Sequence, residues 1–224
     1  MSDTYIMTIM ELSIIQKVAI WALPVIFAIT VHEVAHGWVA SKFGDQTARF
    51  AGRLTLNPIS HIDIFGTVII PVALITFGSH VLFGWAKPVP VDPRNLSNPR
   101  RDMALVALAG PGSNLIMAML WALVAKLSTF APPWFAVPLE SMGWAGIQIN
   151  IMLGVLNLLP IPPLDGGQFV SNVLRGKIAY YYSKIEPYGF LILLALIFTN
   201  VIFYILYPPI IFLIKLIVTM FGLR

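Results

Sequence analysis

Residues 11–43, ELSIIQKVAIWALPVIFAITVHEVAHGWVASKF, are the stretch that decides the fold. The stretch is apolar over most of its length, and a basic residue and a glycine, Lys42 and Gly44, follow in the positions that end a helix. We predict one long helix, which at 1.5 Å per residue could reach about 50 Å, more than the roughly 30 Å of a hydrocarbon core. The helix is therefore long enough to cross a membrane.

The composition of the 224-residue chain extends this inference to the whole protein. Hydrophobic residues make up 58% and charged residues 11%, whereas a typical soluble domain carries about 25% charged residues. This excludes a soluble globular domain, a disordered chain and a coiled coil, and predicts a polytopic integral membrane protein. Its net charge of +4 is typical of basic loops beside a lipid bilayer, and no basic stripe indicates nucleic-acid binding.

The rest of the chain predicts a single all-α membrane domain over residues 1–224, with about five to six transmembrane helices. Residues 47–58 alternate in polarity and end at Asn57-Pro58, which predicts a small membrane-associated β hairpin. Prolines and glycines interrupt 62–84, which we expect to be a re-entrant or a spanning segment. Further expected elements are a helix at 102–129, a Pro-rich turn at 131–139, a broken helix at 141–165 that ends in Asp-Gly, a surface helix at 168–178, and C-terminal helices within 187–222.

The pentapeptide His32-Glu33-Val34-Ala35-His36 carries the chemistry. On a helix, the i and i+4 spacing places both imidazoles on one face, about 6 Å apart at Cβ, which suits one tetrahedral Zn²⁺. Glu33 would lie beside the metal and take a proton from its bound water. The alternative is a polar helix end with interfacial histidines. Three ionisable groups within a span are costly unless they are paired or functional, which favours the metal site.

A catalytic zinc usually takes a third protein ligand and leaves one position for water. Because the chain has no cysteine, the ligand must be His, Asp or Glu, and the candidates are His61, Asp63, His80 and Asp165. Asp165 is favoured, since it follows a proline-rich break and precedes two glycines, and broken membrane helices are tolerated where they line a cavity. Asp165 could also cap the helix at 168–178. The two histidines are more typical of an interface, and Asp63 is close to a helix start.

Positive charge favours a re-entrant 62–84 over a spanning one. If the first helix runs inward and 62–84 returns to the same side, ten of the fourteen Lys and Arg are cytoplasmic. A fully spanning segment would divide these residues between the two faces. We therefore expect a multi-pass protein of the cell membrane, inner or plasma, with its active site nearer the cytoplasmic side.

Four pieces of sequence, in order along the chain, resemble the site-2 proteases, which are intramembrane zinc metalloproteases. They are His32-Glu33-x-x-His36, then Gly44-Asp45 with the stretch from Gly52 to Pro58, then the stretch from Ala109 to Asn114, then Asn157-x-x-Pro160 with Asp165-Gly166. The resemblance covers most of the chain to about residue 178 and is to the minimal form, without PDZ or CBS domains.

The resemblance implies one Zn²⁺ per chain, bound by His32, His36 and Asp165, with Glu33 as the catalytic base. It also implies that Asn157 and Pro160 shape the cleft. In the mechanism that we predict, Asn157 or Asn114 supports the oxyanion.

The predicted function is an endopeptidase that cuts within or near transmembrane segments of single-span membrane-protein substrates, as in regulated intramembrane proteolysis. A strand edge at 47–57 would hold the substrate extended; the alternative for this stretch is an ordinary surface hairpin. One alternative is a metal or ion transporter, which would be expected to show inverted repeats and ionisable residues along a path. Another is a catalytically inactive scaffold, against which the intact Glu33 argues. The sequence does not specify the oligomeric state.

Overall fold

The computed structural model describes residues 13–76 and 84–223, and within these ranges the regular structure is entirely helical, without a β-strand. Shorter helical turns and a π-helix, Ile64–Ile69, lie between the main elements. In chain order the helices are α1 (Ile14–Lys42), α2 (Thr47–Phe50), α3 (Ile70–Thr76), α4 (Pro99–Leu127), α5 (Pro133–Asn157), α6 (Asp165–Val173), α7 (Gly176–Ser183), α8 (Gly189–Phe198) and α9 (Val201–Phe221).

Within the described ranges, four helical segments are long and apolar enough to cross a membrane, which confirms a helical multi-pass membrane protein. They are Ile15–Lys42, Pro99–Phe130, Gly176–Phe198 and Val201–Phe221. By this criterion the number is four, not the five to six that we predicted. The long helix α5 does not qualify, since it carries Glu140, Gln148 and Asn150 among its apolar residues.

Helix α5 belongs to the central group of the fold, in which α1, α4 and α5 pack against one another. Much of it is buried in protein, so it does not need a uniformly apolar surface for lipid. Small residues allow close approach to α4: a Cβ at Gly143 would lie 2.6 Å from the Cβ of Ala125. Helices α8 and α9 complete the core with Leu193 and Ile202, which join the same buried cluster.

The β hairpin expected at 47–58 is not formed. Residues 47–50 are the short helix α2, and Gly52, with a φ of +66°, turns the chain after it. The cause is the Asp45 carboxylate, which accepts hydrogen bonds from the Thr47 N–H (3.0 Å), the Asp92 N–H (2.8 Å) and the Asn95 amide (3.0 Å). These bonds fold the chain into a turn against residues 92–95, and no extended edge is left for a substrate at 47–57.

The described residues at the two ends of the segment 62–84 are hydrogen-bonded to each other. The Trp85 N–H donates to the Gly66 carbonyl (3.2 Å), and the Lys87 N–H donates to the His61 carbonyl (3.0 Å). The part from 77 to 83 lies outside the described residues. The contact between these two ends supports our proposal that 62–84 is re-entrant and does not span the membrane.

The proline-rich turn before α5 is shorter than expected. Helix α5 already begins at Pro133 and accommodates Pro138, so the turn predicted at 131–139 is largely helical. The break after α5 covers residues 158–164 and leads into α6. The surface helix predicted at 168–178 occurs as two helices, α6 and α7, which are separated by Leu174 and Arg175. Helix α7 begins at Gly176, where φ is +62°.

Candidate metal centre

The two histidines of α1 direct their Nε2 atoms to one point. The distance between His32 Nε2 and His36 Nε2 is 3.1 Å. Both residues lie inside a regular helix, so the i, i+4 repeat alone makes them neighbours. His32 is 8% exposed, and the pair therefore lies within the bundle.

Asp165 joins this pair from a distant part of the chain. Its Oδ2 lies 3.1 Å from His32 Nε2 and 3.4 Å from His36 Nε2. Asp165 is the first residue of α6, and the cap position is held by Leu164, whose side chain makes no capping bond, so Asp165 does not act as the helix cap.

The two glycines after Asp165 let α6 begin directly against the preceding break. A Cβ at Gly166 would collide with the carbonyl oxygen of Leu158, and a Cβ at Gly167 would lie 2.6 Å from the carbonyl carbon of Ile161. Glycine is required at both positions because the obstacle is backbone, which cannot rotate away. The Asp-Gly-Gly sequence is thus what allows the carboxylate to reach α1.

The spacing of the three donors fits a tetrahedral zinc. Ligand bonds of about 2.0–2.2 Å at tetrahedral angles place neighbouring donor atoms roughly 3.3 Å or slightly more apart, and the observed separations are 3.1, 3.1 and 3.4 Å. Asp165 Oδ2 is also buried without a hydrogen-bond donor. Among the described residues, His32, His36 and Asp165 form a group that could hold a metal ion.

The far side of each imidazole ring is held by a hydrogen bond. His32 Nδ1 lies 2.7 Å from Asn114 Oδ1, and His36 Nδ1 lies 2.7 Å from the carbonyl oxygen of Val106. A carbonyl oxygen can only accept, so each Nδ1 carries the hydrogen and each Nε2 keeps its lone pair for a metal. Such partners orient a ligating histidine and raise its basicity.

Gly110 allows α4 to lie against the two rings. A Cβ at this position would collide with His36 Nε2 and would lie 2.7 Å from His32 Nε2. The next glycine of the same motif, Gly112, has open space around its missing side chain. The Gly-Pro-Gly sequence therefore contains one glycine that the donor group requires and one that it does not.

Asn114 is not placed to support an oxyanion, contrary to our expectation. It is fully buried, and its amide nitrogen donates to the carbonyl of Ala28 (3.1 Å) and to Asn150 Oδ1 (3.0 Å). Both amide hydrogens are engaged, so none is left for an oxyanion. Asn150, which is also fully buried, donates in turn to the carbonyl of Gly146 (2.9 Å).

Sequence reasoning missed Asn150 and the Val106 carbonyl. The carbonyl leaves no trace in a sequence. Asn150 did leave one, because an amide between Ile149 and Ile151 in an apolar helix is costly unless it has a partner.

Asn157 and Pro160 are not hydrogen-bonded to the donor group. The Asn157 amide donates to the carbonyl of Leu153 in its own helix (3.0 Å). The carbonyl of Pro160 accepts from the Tyr182 hydroxyl (3.1 Å), which also lies 3.2 Å from the carbonyl oxygen of Gly167. Tyr182 thus ties together the two ends of the turn that presents Asp165.

The other candidate ligands are engaged elsewhere. Asp63 Oδ1 accepts from the Gly66 N–H (2.7 Å) at the start of the π-helix. His61 Nε2 lies 2.9 Å from the carbonyl oxygen of Thr55, and the side chain is buried, not interfacial as expected. His80 lies outside the described residues.

Glu33 is half-buried beside the pair, and its Oε2 accepts a hydrogen bond from the backbone N–H of Val89 (2.9 Å). No residue near 89 carried a sequence signal for this contact, because the donor is main chain.

The sequence model described as peptidase family M50 matches residues 20–135 and 133–200. "Putative zinc metalloprotease YwhC" of Bacillus subtilis is 40% identical over 190 residues, which cover 83% of this chain and 83% of that protein. "Putative zinc metalloprotease Rip2" of Mycolicibacterium smegmatis is 31% identical over 175 residues, 78% of this chain and 64% of that protein. "Zinc metalloprotease MJ0392" of Methanocaldococcus jannaschii is 22% identical over 184 residues, 80% and 42% of the two chains. No solved structure matches the chain.

The family match covers most of the apolar helices and both halves of the donor group. These relatives are named as zinc metalloproteases, and zinc is the metal that the donor spacing fits. The resemblance inferred from the sequence is thereby confirmed: the chain belongs to peptidase family M50, the site-2 proteases, and is a membrane zinc metalloprotease.

Proposed function

We propose that the protein is an intramembrane endopeptidase, which hydrolyses peptide bonds within or near the transmembrane segments of single-span membrane proteins. The observation that carries the proposal is the position of the donor group inside a helix that is long and apolar enough to cross a membrane. His36 and His32 precede the end of the span Ile15–Lys42 by six and ten residues, or about 9 and 15 Å along the helix. A donor group at that position within a span is suited to a peptide bond below the membrane surface.

His32, His36 and Asp165 are proposed as the zinc ligands. Their support is the donor spacing, the free lone pairs on both Nε2 atoms and the partnerless Asp165 Oδ2. When bound, zinc supplies a Lewis acid that polarises the substrate carbonyl and lowers the pKa of a water molecule.

Glu33 is proposed as the general base. Its Oε2 is held by the Val89 N–H, which leaves Oε1 to accept the proton of the attacking water. The water oxygen bonds to the carbonyl carbon, the C–N bond breaks, and Glu33 returns the proton to the leaving amine nitrogen. Asn114 and Val106 keep the imidazoles in register during these steps, since their bonds to Nδ1 need not change.

The site is proposed to lie nearer the cytoplasmic face of the cell membrane. Ten of the fourteen basic residues lie at the end of α1 that follows His36, in the connection from α1 to α4, at the start of α4, and in or directly beside α7. Basic residues accumulate on the cytoplasmic side of membrane proteins. They are Lys42, Arg49, Arg53, Lys87, Arg94, Arg100, Arg101, Arg175, Lys177 and Lys184.

The test is cleavage in proteoliposomes of a single-span reporter protein with a fluorescent tag at each end. Glu33→Gln is expected to reduce cleavage by about 10²–10⁴-fold and to keep about one zinc per chain. His32→Ala and Asp165→Ala are expected to lose both zinc and cleavage. Absence of bound zinc in the wild-type protein after reconstitution would contradict the proposed mechanism. Cleavage of soluble casein without cleavage of the reporter would contradict the proposal that the substrate is a membrane protein.

The transporter and scaffold alternatives are not favoured, because the family match and the relatives' names describe a metalloprotease. The Glu33→Gln variant also separates them, since a scaffold would lose no function on this change.

A further inference from the structure

Residues 84–92, here called the proline strap, form an irregular segment that lies on α1 just after His36. Val89 is buried, and its Cγ1 would lie 2.8 Å from a Cβ added at Gly37. The strap is held at both ends by backbone bonds. The Lys87 N–H donates to the His61 carbonyl (3.0 Å), and the Asp92 N–H donates to Asp45 Oδ2 (2.8 Å).

One peptide unit of the strap connects two charged side chains. The carbonyl oxygen of Pro88 lies 3.4 Å from Arg53 Nη2, and the N–H of Val89, on the other side of the same peptide bond, donates to Glu33 Oε2 (2.9 Å). Pro88 and Pro90 have no N–H. Val89 is therefore the only residue of the Pro-Val-Pro sequence that can donate to the carboxylate.

Arg53 has no other evident role. Its side chain is 9% exposed, it forms no ion pair with a carboxylate in the described part of the chain, and its Nε is buried without a partner. Its bonds go to the carbonyls of Lys87 (2.7 Å) and Pro88. A buried guanidinium is costly unless it is compensated. Here the carbonyl oxygen of the Pro88–Val89 peptide faces the Arg53 cation, and the N–H of the same peptide faces the Glu33 anion. One oriented peptide therefore stabilises both charges.

We propose that Arg53 is a positioning residue for Glu33, acting through the Pro88–Val89 peptide. Arg53 fixes the plane of that peptide, and the peptide N–H fixes Oε2, so that Oε1 faces the water to be deprotonated. The inference rests on the proposed function of Glu33 as general base. In this proposal the strap, and not α1, sets the orientation of the Glu33 side chain.

The contact itself can be tested without any substrate. Because the neighbouring prolines have no amide hydrogen, deuterium uptake of residues 88–90 in the intact, detergent-solubilised protein reports on Val89 alone. Glu33→Ala and Arg53→Gln are each expected to speed its exchange about tenfold or more. The control is Arg49→Gln, which removes an exposed arginine four residues earlier and should leave the exchange unchanged. Unchanged exchange in Arg53→Gln would overturn the proposal.

The catalytic consequence is tested with the reporter protein in proteoliposomes. Arg53→Gln is expected to reduce kcat about tenfold, with KM within twofold and zinc content unchanged. Arg53→Lys, which keeps the charge but has a single donor head, should recover part of the loss. Faster Val89 exchange with an unchanged kcat would overturn the positioning role, as would a loss of zinc that accounts for the lost activity.

The two arms distinguish failure of this inference from failure of the proposed function. If the wild type does not cleave the reporter, the proposed function fails while the exchange arm still reports on the Arg53–strap–Glu33 contact. If the wild type cleaves and Arg53→Gln cleaves equally well with a folded, zinc-loaded protein, only this inference fails.

Discussion

Two regions supply the metal donors, and they are held in place in different ways. His32 and His36 are neighbours because they are four residues apart in one helix, a relation that needs no other part of the protein. Asp165 is more than a hundred residues away and reaches them through the break at 158–164, two glycines and the Tyr182 hydroxyl. The comparison teaches that the two donors should respond to different changes. The histidine pair should be disturbed only by a group that obstructs the rings or by loss of the bonds that orient them. Asp165 should be disturbed by loosening of the turn that presents it.

The largest effect is expected from obstruction of the histidine pair. In Gly110→Ala the new methyl group would occupy the space of His36 Nε2 and force the rings apart. We expect loss of bound zinc and of cleavage. Gly112→Ala is the matched control in the same helix, because it meets open space. Zinc per chain, measured by elemental analysis of both variants, checks this; full zinc in Gly110→Ala would contradict the donor geometry.

A smaller effect is expected when the pair keeps its space but loses its orientation. Asn114→Ala removes the acceptor of the His32 Nδ1–H and leaves Asn150 Oδ1 without its donor. Loss of such a partner typically costs 10–100-fold in metal affinity. A chelator competition series measures it, and Asn157→Ala, whose amide bonds only within its own helix, should stay within about threefold of wild type. Equal losses in the two variants would show that the loss of affinity does not come from the His32 contact.

On the other side of the comparison, Tyr182→Phe should loosen the turn that presents Asp165. It removes a hydroxyl shared between the carbonyls of Pro160 and Gly167, worth about 1 kcal/mol for a neutral hydrogen bond. We expect a fewfold loss of zinc affinity in the same competition assay. Tyr181→Phe, at an exposed neighbour, should show none. A change as large as that of Asn114→Ala would mean that the turn, and not the pair, limits metal binding.

The smallest effect concerns Asp45, which anchors the strap and α2. Burial alone would raise the pKa of this carboxyl, but its hydrogen bonds from Thr47, Asn95 and the Asp92 N–H outweigh burial and lower the pKa below its usual value. A lowered folded-state pKa stabilises the protein above the unfolded value of about 3.9, and this contribution is lost as the pH falls through the folded-state pKa.

Asp45→Asn should therefore lower the Tm of the zinc-free protein at pH 7, and the difference from wild type should shrink below about pH 4. Thermal melts in detergent across that range provide the measurement. A Tm difference that does not change with pH would show that Asp45→Asn destabilises the protein through altered packing and not through loss of the carboxylate charge.

Much of the site could be predicted from the sequence because its signals are local. The His32–His36 spacing, the Asp-Gly-Gly after a proline-rich break and the Gly-Pro-Gly-Ser-Asn stretch are each contiguous. The hairpin at 47–58 failed for a related reason: alternation is also local, but the bonds from Asp92 and Asn95 to Asp45 that decide the conformation come from almost fifty residues away. The missed donors, the Val106 carbonyl and the Val89 N–H, belong to main chain that every residue carries.

By itself, the sequence determined that the chain is a helical membrane protein and that two imidazoles and a carboxylate could meet a metal. Composition excludes a water-facing surface, and helical periodicity places His32 beside His36. Only the tertiary structure decided that Asp165, and not Asp63 or His61, completes the donor group, and that a peptide of the strap holds Glu33. These relations depend on which backbones can approach each other, and that is set by packing across helices far apart in the chain.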